Sequence, residues 1–171
     1  HPGIPKIYAF FEENGRYFIV REYILGEDLE QYVTRVDATG RTIPPKPISE
    51  EEILRCAIQA CSILEYLANQ PRPVIHQDVK PANLIRERIL GDVRLVDFGT
   101  AGNKRPTQPL PGGKASSIYG TMGYAAPEQY QGKAVPRSDV YALSATVYHL
   151  LTNDDPRDHP GRFPALATLR P

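Results

Sequence analysis

Apolar and aromatic residues at the start of the chain fall into two short runs separated by a polar turn. The runs are Ile7–Phe11 and Tyr17–Val20, and Asn14-Gly15 lies between them. Asn-Gly favours the type I′ turn, because both central residues of that turn have positive φ. The pattern therefore predicts a β-hairpin over residues 4–20.

Two later segments repeat their apolar residues with the period of an α-helix. In Ser49–Leu67, Ser49 and Glu52 have the spacing of a capping box, and acidic residues at 50–52 suit the positive end of the helix dipole. The second segment, from about Asp139 to Leu151, is apolar on most faces, which is typical of a buried helix, and Ser138 precedes it as the expected cap. We predict a helix over each segment.

The rest of the chain predicts short elements joined by loops. Clusters of proline mark several of these loops, because proline interrupts both helices and strands. The predicted elements are a short polar helix over Asp28–Val36, a proline-rich connector over Asp37–Pro47, strands over Asn83–Ile85 and Val93–Val96 with a turn at Gly91-Asp92, and a mobile loop over Asn103–Ser117.

Composition narrows the class of protein. The 171 residues carry 20 acidic and 20 basic side chains, so no net field draws the chain onto nucleic acid or an anionic membrane. No apolar run reaches the roughly 18 residues of a membrane span. Two cysteines, Cys56 and Cys61, exclude a disulfide scaffold and are interpreted as core residues rather than metal ligands. We predict one domain and, since the first residue is His1, an excerpt of a longer protein.

One predicted loop holds side chains that suit phosphate chemistry. Asp78, Lys80 and Asn83 can present a carboxylate base, an ammonium group and a neutral oxygen ligand to one point. A second carboxylate, Asp97, ends a predicted strand, and Gly99 lets the chain turn away from it. Two oxygen ligands on separate loops suit Mg²⁺, with phosphates and water completing its shell. Phosphoryl transfer needs that metal, a cation on the phosphate and a carboxylate that orients the hydroxyl nucleophile.

Three motifs together resemble those of the eukaryotic-type (Hanks-type) Ser/Thr protein kinases. The sequence reads HQDVKPAN over 76–83, DFG over 97–99 and APE over 126–128, in the order in which that family carries H-R-D-x-K-x-x-N, D-F-G and A-P-E. The segment DVYAL over 139–143 resembles the buried helix that follows A-P-E. PEQY over 127–130 and the same helix resemble bacterial members of the family.

The resemblance implies a catalytic role for each matching residue. Asp78 would accept or orient the proton of the substrate hydroxyl, and Lys80 would contact the transferred phosphate and favours Ser/Thr over tyrosine as acceptor. Thr121 would bond the catalytic loop and help to place the substrate. Asn83 and Asp97 would ligate Mg²⁺. The implied activity is transfer of the ATP γ-phosphate to Ser/Thr hydroxyls of a protein.

The resemblance also implies a nucleotide site and partners. Glu22, Tyr23 and Ile24 match the hinge whose backbone pairs with adenine. Asp28 falls where an acidic residue meets the ribose, and Ile85 where an apolar side chain lies under adenine. ATP and Mg²⁺ are the implied cofactors and a Ser/Thr protein the implied substrate, with no nucleic acid and no membrane segment in this part of the chain. The implied location is the cytoplasm, either free or as the cytoplasmic domain of a membrane-anchored parent.

The implied fold is α+β, a protein-kinase-like fold that is incomplete. Residues 1–25 would form the end of the small lobe and the hinge, and residues 26–171 the large lobe without its last helices, in one partial protein kinase domain. The family's Gly-rich loop, its ATP-binding lysine and the glutamate that pairs with that lysine have no counterpart in the 171 residues. We therefore expect these residues alone to be inactive.

Three matching residues are expected to serve the scaffold. His76 would stack with the positions of Phe98 and Ile7, and Asp139 would cap backbone beneath the catalytic loop. Glu128 would be a structural anchor whose arginine partner lies beyond residue 171.

Two residues depart from the family pattern. Gln77 replaces the arginine that pairs with a phosphate on the activation segment, so we expect the parent enzyme not to need that phosphorylation. Arg21 falls beside the pocket behind adenine, where a buried guanidinium would need a carboxylate partner outside the chain. The alternative is a match that is off by one, which would place Arg21 outside the pocket.

Two other functions stay open. A pseudokinase would use the fold as a nucleotide-binding scaffold; Gln77 and Arg21 favour it, and the retained Asp78, Lys80, Asn83 and Asp97 oppose it. A small-molecule phosphotransferase of the aminoglycoside-kinase type shares H-x-D-x-x-x-x-N. The A-P-E and D-F-G motifs and Lys80 oppose that second alternative.

Overall fold

The computed structural model describes residues 1–100 and 120–169, so the loop predicted over Asn103–Ser117 lies outside the described residues. The predicted hairpin is present, with strand β1 (Ile7–Glu13) antiparallel to β2 (Arg16–Arg21). Asn14 and Gly15 have φ of 52° and 73°, as a type I′ turn requires. Every residue of both strands is exposed.

The short helix predicted over Asp28–Val36 is wrong. Strand β3 (Gly26–Asp28) leads into a single 3₁₀ turn over Leu29–Tyr32. β4 (Arg35–Val36), at the end of the predicted helix, pairs with β5 (Thr42–Ile43), which lies inside the predicted connector. Val33 leaves the turn in an extended conformation, with φ −123° and ψ 160°. The next N–H, that of Thr34, donates to Asn153 Oδ1 at 2.7 Å, a partner 119 residues away. A long-range bond thus replaces the local bond that would continue a helix.

The first predicted helix is confirmed as α1 (Glu50–Ala68). Ser49 Oγ accepts a hydrogen bond from the Glu52 N–H, and Glu52 Oε2 accepts one from the Ser49 N–H, both at 3.2 Å, so the capping box forms as predicted. Cys56 is buried, as interpreted, whereas Cys61 is exposed, so its placement in the core was wrong. The buried face consists of Ile53, Cys56, Ala60, Ile63, Leu64 and Leu67.

The two strands predicted after α1 form a sheet with β3. Strand β6 (Leu84–Glu87) lies between β3 and β7 (Val93–Leu95), and both neighbours are antiparallel to it. Asn83, predicted to start the first strand, instead ends a 3₁₀ turn over Pro81–Asn83. Proline suits the first position of such a turn, because its φ is preset and the missing N–H would have no partner there.

The second predicted helix is present as α2 (Pro136–Thr152), and it starts earlier than expected. Val135 is the residue at the N-cap and Pro136 the first helical residue, so Ser138 lies inside the first turn rather than capping it. The Ser138 hydroxyl accepts the Val135 N–H at 3.1 Å. A short helix, α3 (Leu166–Leu169), follows in the described residues.

One hydrophobic core joins α1, α2 and the three-stranded sheet. Its most buried large side chains are Leu29, Ile53, Ile63, Leu84 and Leu95, and α2 adds Ala142, Leu143 and Leu150. Val79, only 1% exposed, belongs to the same core. The core therefore anchors the loop between α1 and β6, which carries the candidate catalytic residues.

Candidate active site

Three of the predicted site residues, Lys80, Asn83 and Thr121, contact the carboxylate of a fourth, Asp78. The Thr121 hydroxyl donates to Asp78 Oδ1 at 2.6 Å, while Lys80 Nζ lies 2.9 Å and Asn83 Nδ2 3.1 Å from Asp78 Oδ2. Lys80 Nζ also donates to Thr121 Oγ1 at 2.8 Å. A carboxylate has about four acceptor positions, so the donors among the described residues occupy three of them.

The surroundings of Asp78 keep its carboxylate ionised. Burial opposes ionisation, but hydrogen bonds from Thr121, Lys80 and Asn83 outweigh it, and the pKa of Asp78 is lowered below its usual value. The side chain is 15% exposed and that of Lys80 is 26% exposed, so solvent still reaches the pair. Such a group can accept a hydrogen bond from a hydroxyl at neutral pH.

Asp139 on α2 fixes the loop from below. Its two carboxylate oxygens accept the N–H groups of His76 and Gln77, each at 2.7 Å. Asp139 is 2% exposed, and burial raises its pKa to about 6, while the two N–H groups oppose that rise. Asp139 thus has the scaffold position expected of it.

His76 is enclosed by the site rather than directed at a substrate. It is fully buried, and its ring meets that of Phe98 edge-on at 4.8 Å. Nδ1 receives the Asp78 N–H at 3.3 Å and Nε2 lies 3.0 Å from the Val96 carbonyl oxygen, an arrangement that fits a neutral ring with the proton on Nε2. Burial lowers the pKa of His76 and agrees with that state. Ile7, the other residue expected in this stack, is 69% exposed on the hairpin.

The two candidate Mg²⁺ ligands lie at the same end of the sheet. β6 and β7 pair Leu84 with Leu95, and the Val96 N–H continues the ladder to the Asn83 carbonyl oxygen at 2.9 Å. Asp97 follows directly, exposed and with φ of +64°. Asn83 uses its Nδ2 to bind Asp78, which turns its amide oxygen away from that bond. One amide oxygen and one carboxylate are hard oxygen donors of the kind Mg²⁺ takes.

The candidate nucleotide residues fall into two groups. Asp28 and Ile85 are direct partners across β3 and β6, so the residues implied for ribose and adenine are neighbours. Tyr23 is 86% exposed and Ile24 is buried. Within the described residues, neither forms a hydrogen bond to another backbone group. Glu22 is used locally, since its Oε2 accepts the Lys6 N–H at 3.1 Å.

The residues that depart from the family pattern have different surroundings. Gln77 is 6% exposed and adopts a left-handed backbone with φ of +69°. Arg21, at the end of β2, is exposed in the described part of the chain, and because its expected carboxylate partner lies outside the chain, that expectation stays a prediction. Glu128 Oε1 accepts the Ser138 hydroxyl at 2.6 Å, a partner that the sequence did not suggest.

One buried residue at the site was missed entirely. Gln129, 4% exposed, donates from Nε2 to the Gln77 carbonyl oxygen at 2.9 Å and accepts the Ala126 N–H on Oε1 at 3.0 Å. In the sequence it was only part of the PEQY signature. No local pattern shows that this amide reaches a loop 52 residues earlier.

Replacement of Thr121 by valine is expected to raise the pKa of Asp78. Valine keeps the shape but removes the hydroxyl that donates to Oδ1, and that bond favours the ionised carboxylate. NMR titration of the Asp78 carboxyl carbon measures the change. Thr39→Val is the matched control, because the Thr39 hydroxyl donates to Asp37 Oδ1 at 2.6 Å and its loss should move only the pKa of Asp37. An unchanged Asp78 pKa in Thr121→Val would contradict the geometry.

Comparison with known proteins shows the family to which the chain belongs. The family model described as the protein kinase domain matches residues 1–163. The chain therefore belongs to the protein kinase domain family, and its α+β architecture is a partial kinase-like fold.

The chain is similar to several named bacterial Ser/Thr protein kinases. It is 31% identical over 163 residues to serine/threonine-protein kinase B of Synechocystis sp., covering 92% of this chain and 26% of that protein. Serine/threonine-protein kinase C of Synechocystis sp. is 35% identical over 159 residues, with 92% of this chain and 28% of that protein covered. For serine/threonine-protein kinase PrkC of Bacillus subtilis the identity is 34% over 159 residues, with 92% and 22% covered. The chain thus spans about a quarter of the length of these curated relatives.

Among residues 1–100 and 120–169, none of the helices has the length and the apolar character that a membrane span requires.

Proposed function

We propose that the full-length protein transfers the γ-phosphate of ATP to serine or threonine hydroxyls of a protein in the cytoplasm. The observation that carries this proposal is the meeting of Thr121, Lys80 and Asn83 on the Asp78 carboxylate. An ionised acceptor beside an ammonium group supplies two of the parts that hydroxyl phosphorylation needs, the base and a cation for the phosphate. Three named Ser/Thr kinases among the relatives support the same chemistry.

Each residue has one task in this proposal. The substrate oxygen forms a bond to the γ-phosphorus, the bond from that phosphorus to the oxygen of ADP breaks, and the hydroxyl proton passes to Asp78. Lys80, fixed between Asp78 and Thr121, holds its charge beside the phosphate in transfer. Thr121 orients Asp78 through Oδ1 and leaves the remaining acceptor position for the substrate.

The metal and nucleotide sites complete the proposal. Asn83 and Asp97 would hold Mg²⁺, which supplies charge neutralisation on the phosphates when it is bound. The backbone at Tyr23 and Ile24 would pair with adenine. Asp28 would meet the ribose, and Ile85, its neighbour across the strands, would lie beneath the base. The domain division at residues 25 and 26 belongs to the same proposal.

The test is a phosphotransfer assay with the full-length protein. ATP labelled at the γ-phosphate is supplied with Mg²⁺ or with EDTA, and casein, a tyrosine peptide and an aminoglycoside serve as separate acceptors. Label on phosphoserine or phosphothreonine of casein that requires Mg²⁺ is the expected result. Nucleotide binding without transfer would favour the pseudokinase, and label on the aminoglycoside alone would favour the small-molecule phosphotransferase.

Phosphorylation of the segment between D-F-G and A-P-E is expected to be dispensable. Gln77 stands where the phosphate-binding arginine of the family would be, and an amide binds a phosphate more weakly than a guanidinium does. Combined replacement of Thr107, Ser116 and Ser117 by alanine should change kcat by less than about twofold, well short of the tenfold that 1.4 kcal/mol represents. A large loss of kcat in the casein assay would contradict this. These three residues lie outside the described residues.

A further inference from the structure

We propose that Gln129 is a positioning residue that sets the orientation of Asp78, an inference that rests on the proposed function. Gln129 lies in a 3₁₀ turn over Gln129–Gln131, just after the A-P-E motif. Its side-chain amide joins the loop that carries Asp78 to the segment that carries Thr121. These two contacts are to backbone groups of Gln77 and Ala126, so we infer that Gln129 acts through the backbone.

The bond from Gln129 acts on the peptide unit that precedes Asp78. The carbonyl oxygen of that unit, from Gln77, accepts Gln129 Nε2 at 2.9 Å, and its N–H, from Asp78, donates to His76 Nδ1 at 3.3 Å. A peptide unit is planar, so partners at both ends fix its rotation. The direction in which the Asp78 side chain leaves the backbone depends on that rotation.

The backbone at this point needs such support. Gln77 has φ of +69°, a left-handed conformation that costs a non-glycine residue energy and persists only where neighbours enforce it. Asp139 holds the Gln77 N–H and Gln129 holds the Gln77 carbonyl, so both polar groups of the strained residue are bound. Asp139 binds the N–H of Gln77, and the restraint on the Gln77 carbonyl oxygen described here comes from Gln129.

The side-chain oxygen of Gln129 binds the segment that follows Thr121. Oε1 accepts the Ala126 N–H at 3.0 Å, and the Gln129 N–H donates to the Ala126 carbonyl oxygen at 2.9 Å. Gly120 passes so close that a Cβ there would lie 2.9 Å from the Gln77 oxygen and 3.0 Å from Gln129 Nε2. Glycine at 120 therefore leaves room for the bond, and one amide sets Asp78 and Thr121 relative to each other.

Burial makes it hard for water to replace the bond between Gln129 Nε2 and the Gln77 carbonyl oxygen. Gln129 is 4% exposed and Gln77 6% exposed, so water has little access to the carbonyl oxygen if the amide is removed. Glutamate at 129 keeps the size but faces the carbonyl with an oxygen. Methionine keeps the length and removes the bonds to the Gln77 carbonyl and the Ala126 N–H.

The experiment compares Gln129→Glu and Gln129→Met with the wild type in the full-length protein. We expect kcat to fall by about 10- to 100-fold, the loss typical of a reacting group displaced by about 1 Å, while KM for ATP stays within about twofold. Hydrogen exchange at the Gln77 and Asp78 amides should quicken about tenfold, with α2 unchanged, because one supporting bond is lost locally. Gln131→Glu and Gln131→Met are the controls, since Gln131 lies in the same turn with an exposed side chain.

Two results would overturn the inference: unchanged kcat in both variants, or loss of exchange protection spread over the whole domain. The second result would assign Gln129 to overall stability. The exchange measurement does not depend on activity. If the wild type transfers no phosphate, the proposed function fails, while faster exchange at residues 77 and 78 still identifies Gln129 as the residue that holds the loop.

Discussion

Asp78→Asn in the full-length protein is expected to lower kcat for Ser/Thr phosphorylation by about two to four orders of magnitude, the range that general-base catalysis contributes. Asparagine has nearly the same shape, but its amide cannot accept the hydroxyl proton at neutral pH. Its Nδ2 would also replace Oδ2, the oxygen that Lys80 and Asn83 now approach at 2.9 and 3.1 Å. Donors would then face one another, and Lys80 would lose its counter-charge. The casein assay, run at several ATP concentrations, separates kcat from KM.

A matched replacement separates this effect from a change in net charge. Asp158→Asn removes the same charge from an exposed residue in the loop after α2 and should leave kcat within about twofold, as surface substitutions usually do. Binding of ATP to Asp78→Asn, followed by fluorescence of a labelled nucleotide, should persist. If Asp78→Asn kept more than about a tenth of wild-type kcat, Asp78 would not be the base, because general-base catalysis is worth more than that.

Asp139→Ala is expected to lower the free energy of unfolding of the domain by about 3 kcal/mol, since each buried polar group left without a partner costs about 1–3 kcal/mol. The carboxylate accepts two backbone N–H groups at 2.7 Å, and the site is 2% exposed. Alanine removes the acceptor that both buried N–H groups use. Urea unfolding measures the loss, with an unchanged slope expected if the unfolded state is the same.

The graded variant Asp139→Asn tests the reason for that loss. Its side-chain oxygen can keep one of the two bonds, so it should cost less than alanine. Asp158→Ala, at an exposed position, should change the unfolding free energy by less than about 0.5 kcal/mol. Equal losses from Asp139→Ala and Asp139→Asn would show that the paired N–H groups are not the cause.

Features that depend on nearby residues could be predicted from the sequence. The capping box of α1 needs only Ser49 and Glu52, three residues apart, and both of its bonds form. The hairpin turn needs only Asn14-Gly15. The grouping of Asp78, Lys80 and Asn83 could also be predicted, because all three lie within six residues of the sequence. Their roles in the reaction stay predictions.

Features that depend on distant partners could not be predicted. The helix expected over Asp28–Val36 stops because Thr34 binds Asn153, and no pattern within residues 28–36 reveals that partner. Ser138 looked like a cap, yet Val135 and Pro136 start α2 before it. Gln129 has no distinguishing neighbours in the sequence. Its importance appears only once the Gln77 carbonyl lies against it.

The left-handed backbone at Gln77 also has a consequence for how the domain folds. Strain at such a residue costs about 1–3 kcal/mol and must be offset by contacts made elsewhere. Those contacts come from Asp139, 62 residues later, and from Gln129, 52 residues later. Closing loops of that length has an entropic cost that local turns avoid. The working shape of the Asp78 loop therefore depends on contacts that exist only once α2 and the Gln129 turn have docked against it.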